Sequence, residues 1–379
     1  DVERSRGLGD VYKRQHLMFS KTFLFYCLLI IIFTVLNCQQ VLKHPINSDV
    51  YQPQNMTMYS TDKNIIMSNE IKELKNEVHQ NNFKTYQFGF LKQKKLNDQQ
   101  ISKIKKLISK MEKTNNFHQF KNYSNSVSHV VGWGSQYSKN NISLFGIKNM
   151  SKSKYVKEKN IIKNKEYYYG AYSRYFSDIM GVVLGILPFF LGAQMILQDK
   201  KSNAIKTIHS KSISSYQLIS TRVFTILVLA YLPVLLVSIY FVTCLSMIHQ
   251  ISMFSLFIFY KILILWTLPT LIFTIAMGLF VTIILNSYLG VMIQIVIWFI
   301  NLNIGSRAIE GCYGSLLIPR HNTLFKAVFF YNHFNQILAN RFTYFGLGLL
   351  LILLSTYIFD LKRRGVGFNG KIFTNRYQN

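Results

Sequence analysis

Long apolar runs separated by polar stretches organise the chain. Runs of about 18 residues or more are long enough to cross a hydrocarbon layer. Several runs reach that length, and the spans are placed at about 20–38, 176–197, 222–246, 262–285, 288–303 and 342–360. The apolar stretch 254–303 is too long for one crossing and too short for three. Its polar break NSYLG (Asn286–Gly290) divides it into a tight pair. Six spans are expected, with both termini on one side. The first run also fits a cleaved signal peptide, but no A-x-A-like site follows it, and a retained anchor over 18–38 is favoured.

Between the first two runs lies a polar block, 39–170, rich in Lys, Asn, Gln and Ser. Ile71, Leu74 and Val78 recur at helical spacing, as do Ile101, Ile104, Leu107, Ile108 and Met111, with Asn97 and Gln100 placed to cap the second helix. Ser126–Trp133 and Ile142–Ile147 read as short strands. The expected fold is an all-α membrane protein of six transmembrane helices, with a small α+β extracellular domain between the first and second. Residues 171–365 then form a five-helix transmembrane domain, with a cytoplasmic elbow at 198–222 and an external re-entrant segment at 317–341. A cytoplasmic tail at 366–379 follows. The stretch DVYKRQ (Asp10–Gln15) resembles a translated sequencing-library adapter, so 1–15 reads as an artefact and Met18 as the native start.

Charge fixes the orientation. Lysine and arginine number 43 against 16 acidic residues, a net charge of +27. Such an excess fits nucleic acid in a soluble protein, but beside apolar spans it fits the positive-inside rule instead, and no nucleic acid is expected. The 198–222 segment carries Lys200, Lys201, Lys206, Lys211 and Arg222 against Asp199, and the tail opens DLKRRG (Asp360–Gly365). Both are assigned to the cytoplasm. Arg307, Arg320, Lys326 and Arg341 in the 304–341 connection make the bias modest, while lysines of a long external domain do not count against it. The polar block contains no cysteine, which excludes a disulfide framework there.

Several chemistries find no support. There is no GxxxxGK[ST] phosphate loop, and GWGSQYSK (Gly132–Lys139) has its glycines wrongly spaced. HExxH and GxSxG are absent, so no catalytic, cofactor-binding or metal residue is assigned. His44, His79, His118 and His129 lack ligand spacing, and His321 and His333 read as polar rim residues. Asp178 and Lys261 read as snorkelling groups near span ends. Without buried charges in the spans, an ion-coupled carrier is disfavoured. Intramembrane amides Gln194, Gln294, Asn301 and Asn303 either bond neighbouring helices or line a pathway. Pro188, Pro233 and Pro269 each fall in a different span, as static kinks or as points of flexing.

The elbow is the most patterned connection. Ala204, Ile205 and Ile208 share a helical stripe, with Asp199 at the positive end of the dipole. SKSIS (Ser210–Ser214) interrupts it, and Ser214 with Gln217 forms a capping box that restarts a helix. A basic helix with a narrow apolar stripe fits either anionic lipid or a docking cleft on a cytoplasmic protein. Segment 322–340 places Leu324, Val328, Phe334, Ile337 and Leu338 near one face, with Asn322 as its cap, which predicts one amphipathic helix.

The run ILPFFLGAQMILQDKKSNAIKTIHSKSISSYQLISTR (Ile186–Arg222) resembles the second span and elbow of ABC transporter permeases of the type-two exporter class. Leu317–Tyr344 resembles the external re-entrant segment of that class, and the plan of one span, a large external domain and five further spans is similar. The resemblance implies a bacterial cytoplasmic-membrane permease, working as a homodimer or with a related second permease. A separate P-loop ATPase would bind ATP and magnesium. Asp199, Lys200, Lys201, Ile205, Ile208, Lys211, Ser214, Gln217 and Arg222 would form the elbow seated on it. The alternative is a membrane-anchored sensor with a ligand-binding ectodomain, disfavoured by the short segment after Asp360.

Overall fold

The computed structural model describes residues 20–43, 46, 57–87, 90–202, 213–249, 256–306, 311–321 and 323–364. In chain order the elements begin with α1 (Lys21–Lys43), β1 (Thr57–Tyr59), α2 (Lys63–Gln80), β2 (Phe83–Gln87), β3 (Phe90–Lys94), α3 (Asp98–Lys113) and α4 (Phe117–Val131). Next come β4 (Ile147–Asn149), α5 (Lys152–Asn164), α6 (Tyr169–Leu184), α7 (Leu187–Lys201) and α8 (Ser215–His249). The last are α9 (Leu256–Leu285), α10 (Gly290–Ser306), α11 (Ala327–Asn332) and α12 (Phe334–Arg363). The chain divides into a larger unit (Asp1–Asn47, Asn160–Leu302 and Cys312–Asn379) and a smaller one (Ser48–Lys159 with Asn303–Gly311).

In the smaller unit, α2, α3 and α4 close around Leu74, Phe83, Ile104, Met111, Phe120, Val127 and Val131, all buried. The predicted cap on α3 is present. Asn97 Oδ1 accepts from the Gln100 amide at 2.9 Å, and Gln100 Oε1 accepts from the Asn97 amide at 3.1 Å. Residues Ser126–Trp133 do not form a strand. Phe120, Ser124, Val127 and Val131 recur every three to four residues and bury one face of α4. Short alternation within that run had mimicked a period of two. Ile142–Phe145 is a 3₁₀ turn, and only Ile147–Asn149 beyond it pairs, antiparallel with β1. The second sheet is the β2–β3 hairpin. Gly134, at φ 81°, lies against the Tyr86 backbone, where a Cβ would come within 2.8 Å of the Tyr86 carbonyl oxygen. Glycine is required there.

The larger unit is a helical bundle around α9. Among the described residues, five helical segments are long and apolar enough to cross a membrane: Lys21–Lys43, Tyr169–Lys201, Ser215–His249, Leu256–Leu285 and Phe334–Arg363. The apolar helix Gly290–Gly305 is shorter. Phe23, Tyr26, Ile30, Thr34 and Cys38 form the buried stripe of α1, while Leu24, Phe25, Leu28 and Leu36 between them stay exposed. That one-sided burial suits a helix with one protein face and one lipid face. Close approach is bought with glycine: a Cβ at Gly192 of α7 would strike the Ile275 carbonyl, and one at Gly278 of α9 would strike the Phe189 carbonyl. Gly348 of α12 similarly lies against Ile272 and Phe273.

Hydrogen bonds set the helix directions. The Ile46 amide donates to the Tyr172 hydroxyl at 3.1 Å, and the same hydroxyl meets His249 Nε2 at 3.1 Å. Ser173 Oγ donates to the Phe259 carbonyl at 2.6 Å. The C-terminal ends of α1 and α8 therefore meet the N-terminal ends of α6 and α9. At the opposite end, Ser215 Oγ donates to Asp360 Oδ1 at 2.7 Å, joining the start of α8 to the end of α12.

Boundaries depart from the sequence reading at four places. The first run stays helical to Lys43, beyond Cys38. The second run is longer than 176–197 and breaks at Gly185–Ile186, with Pro188 near the start of α7. Asp199 stands in the last turn of α7, which continues to Lys201, and does not begin a new helix. The 322–340 segment is not one helix: α11 ends at Asn332, and Phe334 already opens α12. Its expected cap, Asn322, lies outside the described residues. The predicted break at Asn286–Gly290 does separate α9 from α10, and Asn286 takes φ 51°, the left-handed conformation common after a helix.

Candidate functional site: a buried charge network

At the end of the larger unit where α6 begins, a cluster of charges is buried, among them Asp178, which the sequence reading placed at the interface. Arg174 and Asp178 stand one turn apart on α6, at 0% and 1% exposure. Spacing of i, i+4 puts both on one face. Arg174 Nη1 pairs with Glu166, which is also fully buried. Asp178 receives Arg320 in a two-point contact, Nε to Oδ1 at 2.8 Å and Nη2 to Oδ2 at 3.1 Å, and Oδ1 also accepts the His321 amide at 2.8 Å. Asp178 is thus an anchor for the 311–321 segment, not a snorkelling group. Bidentate geometry with a third donor is what offsets the desolvation of a carboxylate.

His321 is fully buried, not on the rim. Its Nδ1 meets the Tyr313 hydroxyl at 2.6 Å. Its Nε2 lies 3.3 Å from Arg174 Nε and 3.0 Å from the Phe325 carbonyl. Nε2 cannot accept from the guanidinium and donate to the carbonyl at once, so the tautomer selects one partner. A protonated ring would set two N–H groups against each other beside Arg174, which favours the neutral form.

The 311–321 segment is irregular backbone, and the carbonyls of Tyr313, Gly314, Ser315, Leu316 and Leu317 accept from side chains. A pair of antiparallel bonds joins Cys312 and Arg320, at 2.9 and 2.8 Å, closing a loop. Asn340 Nδ2 reaches the carbonyls of Tyr313 (3.0 Å), Gly314 (2.5 Å) and Leu316 (3.0 Å). Arg341 is 1% exposed. It donates to the carbonyls of Trp266, Leu316 and Leu317 at 3.0, 3.1 and 3.1 Å, and to Thr270 Oγ1 at 2.8 Å. Asn301 Oδ1 accepts the Leu317 amide at 2.7 Å. Non-helical backbone survives at membrane depth only when its polar groups are met in this way. Three guanidinium groups (Arg174, Arg320, Arg341) face two carboxylates (Glu166, Asp178), and Arg341 sits among uncharged oxygens.

Below the loop, Ile318 lies over Gly181 and Gly185, where a Cβ at Gly185 would come within 2.5 Å of its Cδ1. The helix break opened there is closed by α10. Gln294 Nε2 donates to the Gly185 carbonyl at 2.5 Å, and Trp298 Nε1 to the Val182 carbonyl at 2.8 Å. Of the predicted pathway amides, Gln294 fastens α10 to the end of α6, and Asn301 fastens α10 to the 311–321 loop. Gln194 Oε1 is buried without a hydrogen-bond partner among the described residues, and Asn303 ends up near the end of α10. Pro188 marks the break itself. Pro233 and Pro269 are buried inside α8 and α9, which continue through them.

The described flanks of the predicted elbow, 198–202 and 213–222, lie at the other end. Ile205, Ile208 and Lys211 fall outside the described residues. Asp199 and Arg222, its two boundary charges, form an ion pair. Lys200 and Lys201 complete the last turn of α7. Ser214 Oγ accepts the Gln217 amide at 3.1 Å, as the capping pattern predicts. Arg363 donates to the Ile213 carbonyl at 2.6 Å, and Lys362 reaches the Ile283 carbonyl, so the end of α12 holds both the start of α8 and the end of α9.

The buried network is not legible residue by residue: Asp178, Arg320, His321 and Arg341 read as separate groups in the sequence, and Glu166 and Arg174 are not singled out there. Arg174 with Asp178 at one-turn spacing, and Asn340–Arg341 entering an apolar helix, were the available signals. Among the described residues, no group of three or more His, Cys, Asp or Glu side chains converges as a metal site would. Comparison with protein-family models, with curated proteins and with solved structures returns no match.

Proposed function

We propose that this chain is the transmembrane permease subunit of an ATP-binding-cassette exporter, driven by a separate P-loop ATPase and paired with a second copy or a related permease. Helices α1, α6–α7, α8, α9, α10 and α12 make six crossings of the cytoplasmic membrane, with 198–222 and the end of α12 on the cytoplasmic side and the smaller unit outside. The observation that carries this reading is the Asp199–Arg222 pair, together with the hydrogen bonds from Arg363 and Ser215. They mount the elbow between α7 and α8 and tie it to α12, so a push on the elbow moves three helices together.

At the opposite end, the loop clamped by Asp178 and Arg341 stands over the break in α6–α7. ATP-driven approach of two ATPase subunits would tilt α7 against α9, and the broken helix lets α6 move separately. The loop then serves as the external closure of the path between two permease subunits. In detergent, affinity purification of the full chain should recover an ATP-hydrolysing P-loop protein, and a photo-crosslinker at Ile205 or Ile208 should capture it. Capture of lipid alone at both positions, with no ATPase recovered, would remove the proposal.

A further inference from the structure

The smaller unit has nineteen lysines against seven acidic residues between positions 57 and 159. Of those acids, Glu70, Glu77 and Glu158 are buried, which leaves its surface more basic still. Five of these lysines lie on α3. Lys103, Lys106, Lys110 and Lys113 are all exposed. Their spacing of three, four and three residues places them on one stripe. At 1.5 Å rise per residue the stripe is about 15 Å long, with a cation every ~5 Å. The acidic groups of α3 do not interrupt it. Asp98 is in the first turn, and Glu112 sits on the flank, paired with Lys75 of α2 at 2.6 Å. Among the described residues, none of the four lysines has an ion-pair partner.

We infer that this stripe binds a linear polyanion, a polymer with repeated phosphate or phosphodiester groups, along the axis of α3. Four cations aligned over ~15 Å exceed the reach of a single phosphate and repel one another until a repeated anion neutralises them. A bilayer surface fits less well. Helices that rest on lipid bury an apolar face beside their lysines. Here the apolar face, Ile104, Ile108 and Met111, is already committed to the core of the unit. The inference does not depend on the transport reading and fails separately from it.

The test uses the full chain in zwitterionic nanodiscs, with inorganic polyphosphate as probe across a salt series. Wild-type protein should bind with an affinity that falls linearly in log salt. Replacing Lys103, Lys106, Lys110 and Lys113 together by Gln should weaken binding at least about tenfold and flatten the salt slope. A control removing equal charge at Lys148, Lys152, Lys154 and Lys157 should change affinity less than about threefold. Gln is a good helix former, and circular dichroism checks that the variant folds. Equal losses in both quartets, absence of polyphosphate binding, or stripe-dependent binding to anionic vesicles without binding to polyphosphate would each overturn the inference.

Discussion

At the scale of single residues, the buried ionisable groups carry the sharpest expectations. Arg320→Ala would leave Asp178 buried with its charge unpaired, at a cost on the order of 3–5 kcal/mol. Combined with Asp178→Asn, the same change should cost much less, because no charge is left behind. Thermal unfolding in detergent checks this. Equal destabilisation by the single and double variants would mean that the pair is not what holds the loop. In the smaller unit, Glu70 is fully buried, neither of its carboxylate oxygens has a hydrogen-bond partner among the described residues, and burial pushes its carboxyl up to about 8. The folded state therefore holds a proton that the unfolded chain releases near its ordinary value of 4.5. Stability of this unit should fall as pH rises through that window, by at most about 1.4 kcal/mol per pH unit, and level off above it. Glu70→Gln should abolish the slope, read as hydrogen-exchange protection of α2 at pH 6 and pH 8.

At the scale of elements, legibility followed periodicity. The helices α2 and α3, the Asn97 cap and the α9–α10 break were readable because local pattern and local structure agree there. The C-terminal part of α4 reads as a strand because a run of eight residues, Ser126–Trp133, does not separate a period of two from one of 3.6. The break in α6–α7 was half-legible in Pro188, but its position depends on Ile318 seating over Gly181 and Gly185, a contact more than 130 positions away in the chain. Close helix packing gives a contrast between two glycines. Gly192→Ala would drive a methyl into the Ile275 carbonyl, whereas Gly346→Ala meets nothing within 4 Å. The first should lower the melting temperature markedly; the second should be neutral or stabilising by up to about 1 kcal/mol. The elbow mount is testable by charge reversal. Asp199→Arg or Arg222→Asp alone should reduce ATPase association, and the double reversal should restore it. Failure of the double variant to recover would show that the pair does not position the elbow.

For the whole molecule, length and composition were enough to read a helical chain with membrane-crossing segments, since about 18 apolar residues in succession leave few alternatives. The arrangement of charge was not readable in the same way. Net charge is a sum, whereas Arg174, Asp178, Arg320 and Arg341 matter through partners brought together by the fold, from α6, α12 and the loop between α10 and α11. The described flanks of the basic elbow lie at the end of the bundle away from that network, and the proposed transport requires this end to face the compartment that supplies ATP. A cysteine at Lys206, in a chain whose Cys27, Cys38, Cys244 and Cys312 are replaced by serine, reports this directly with a membrane-impermeant maleimide. The account predicts no labelling in intact cells and rapid labelling after permeabilisation. Labelling of intact cells would place the elbow outside and contradict it.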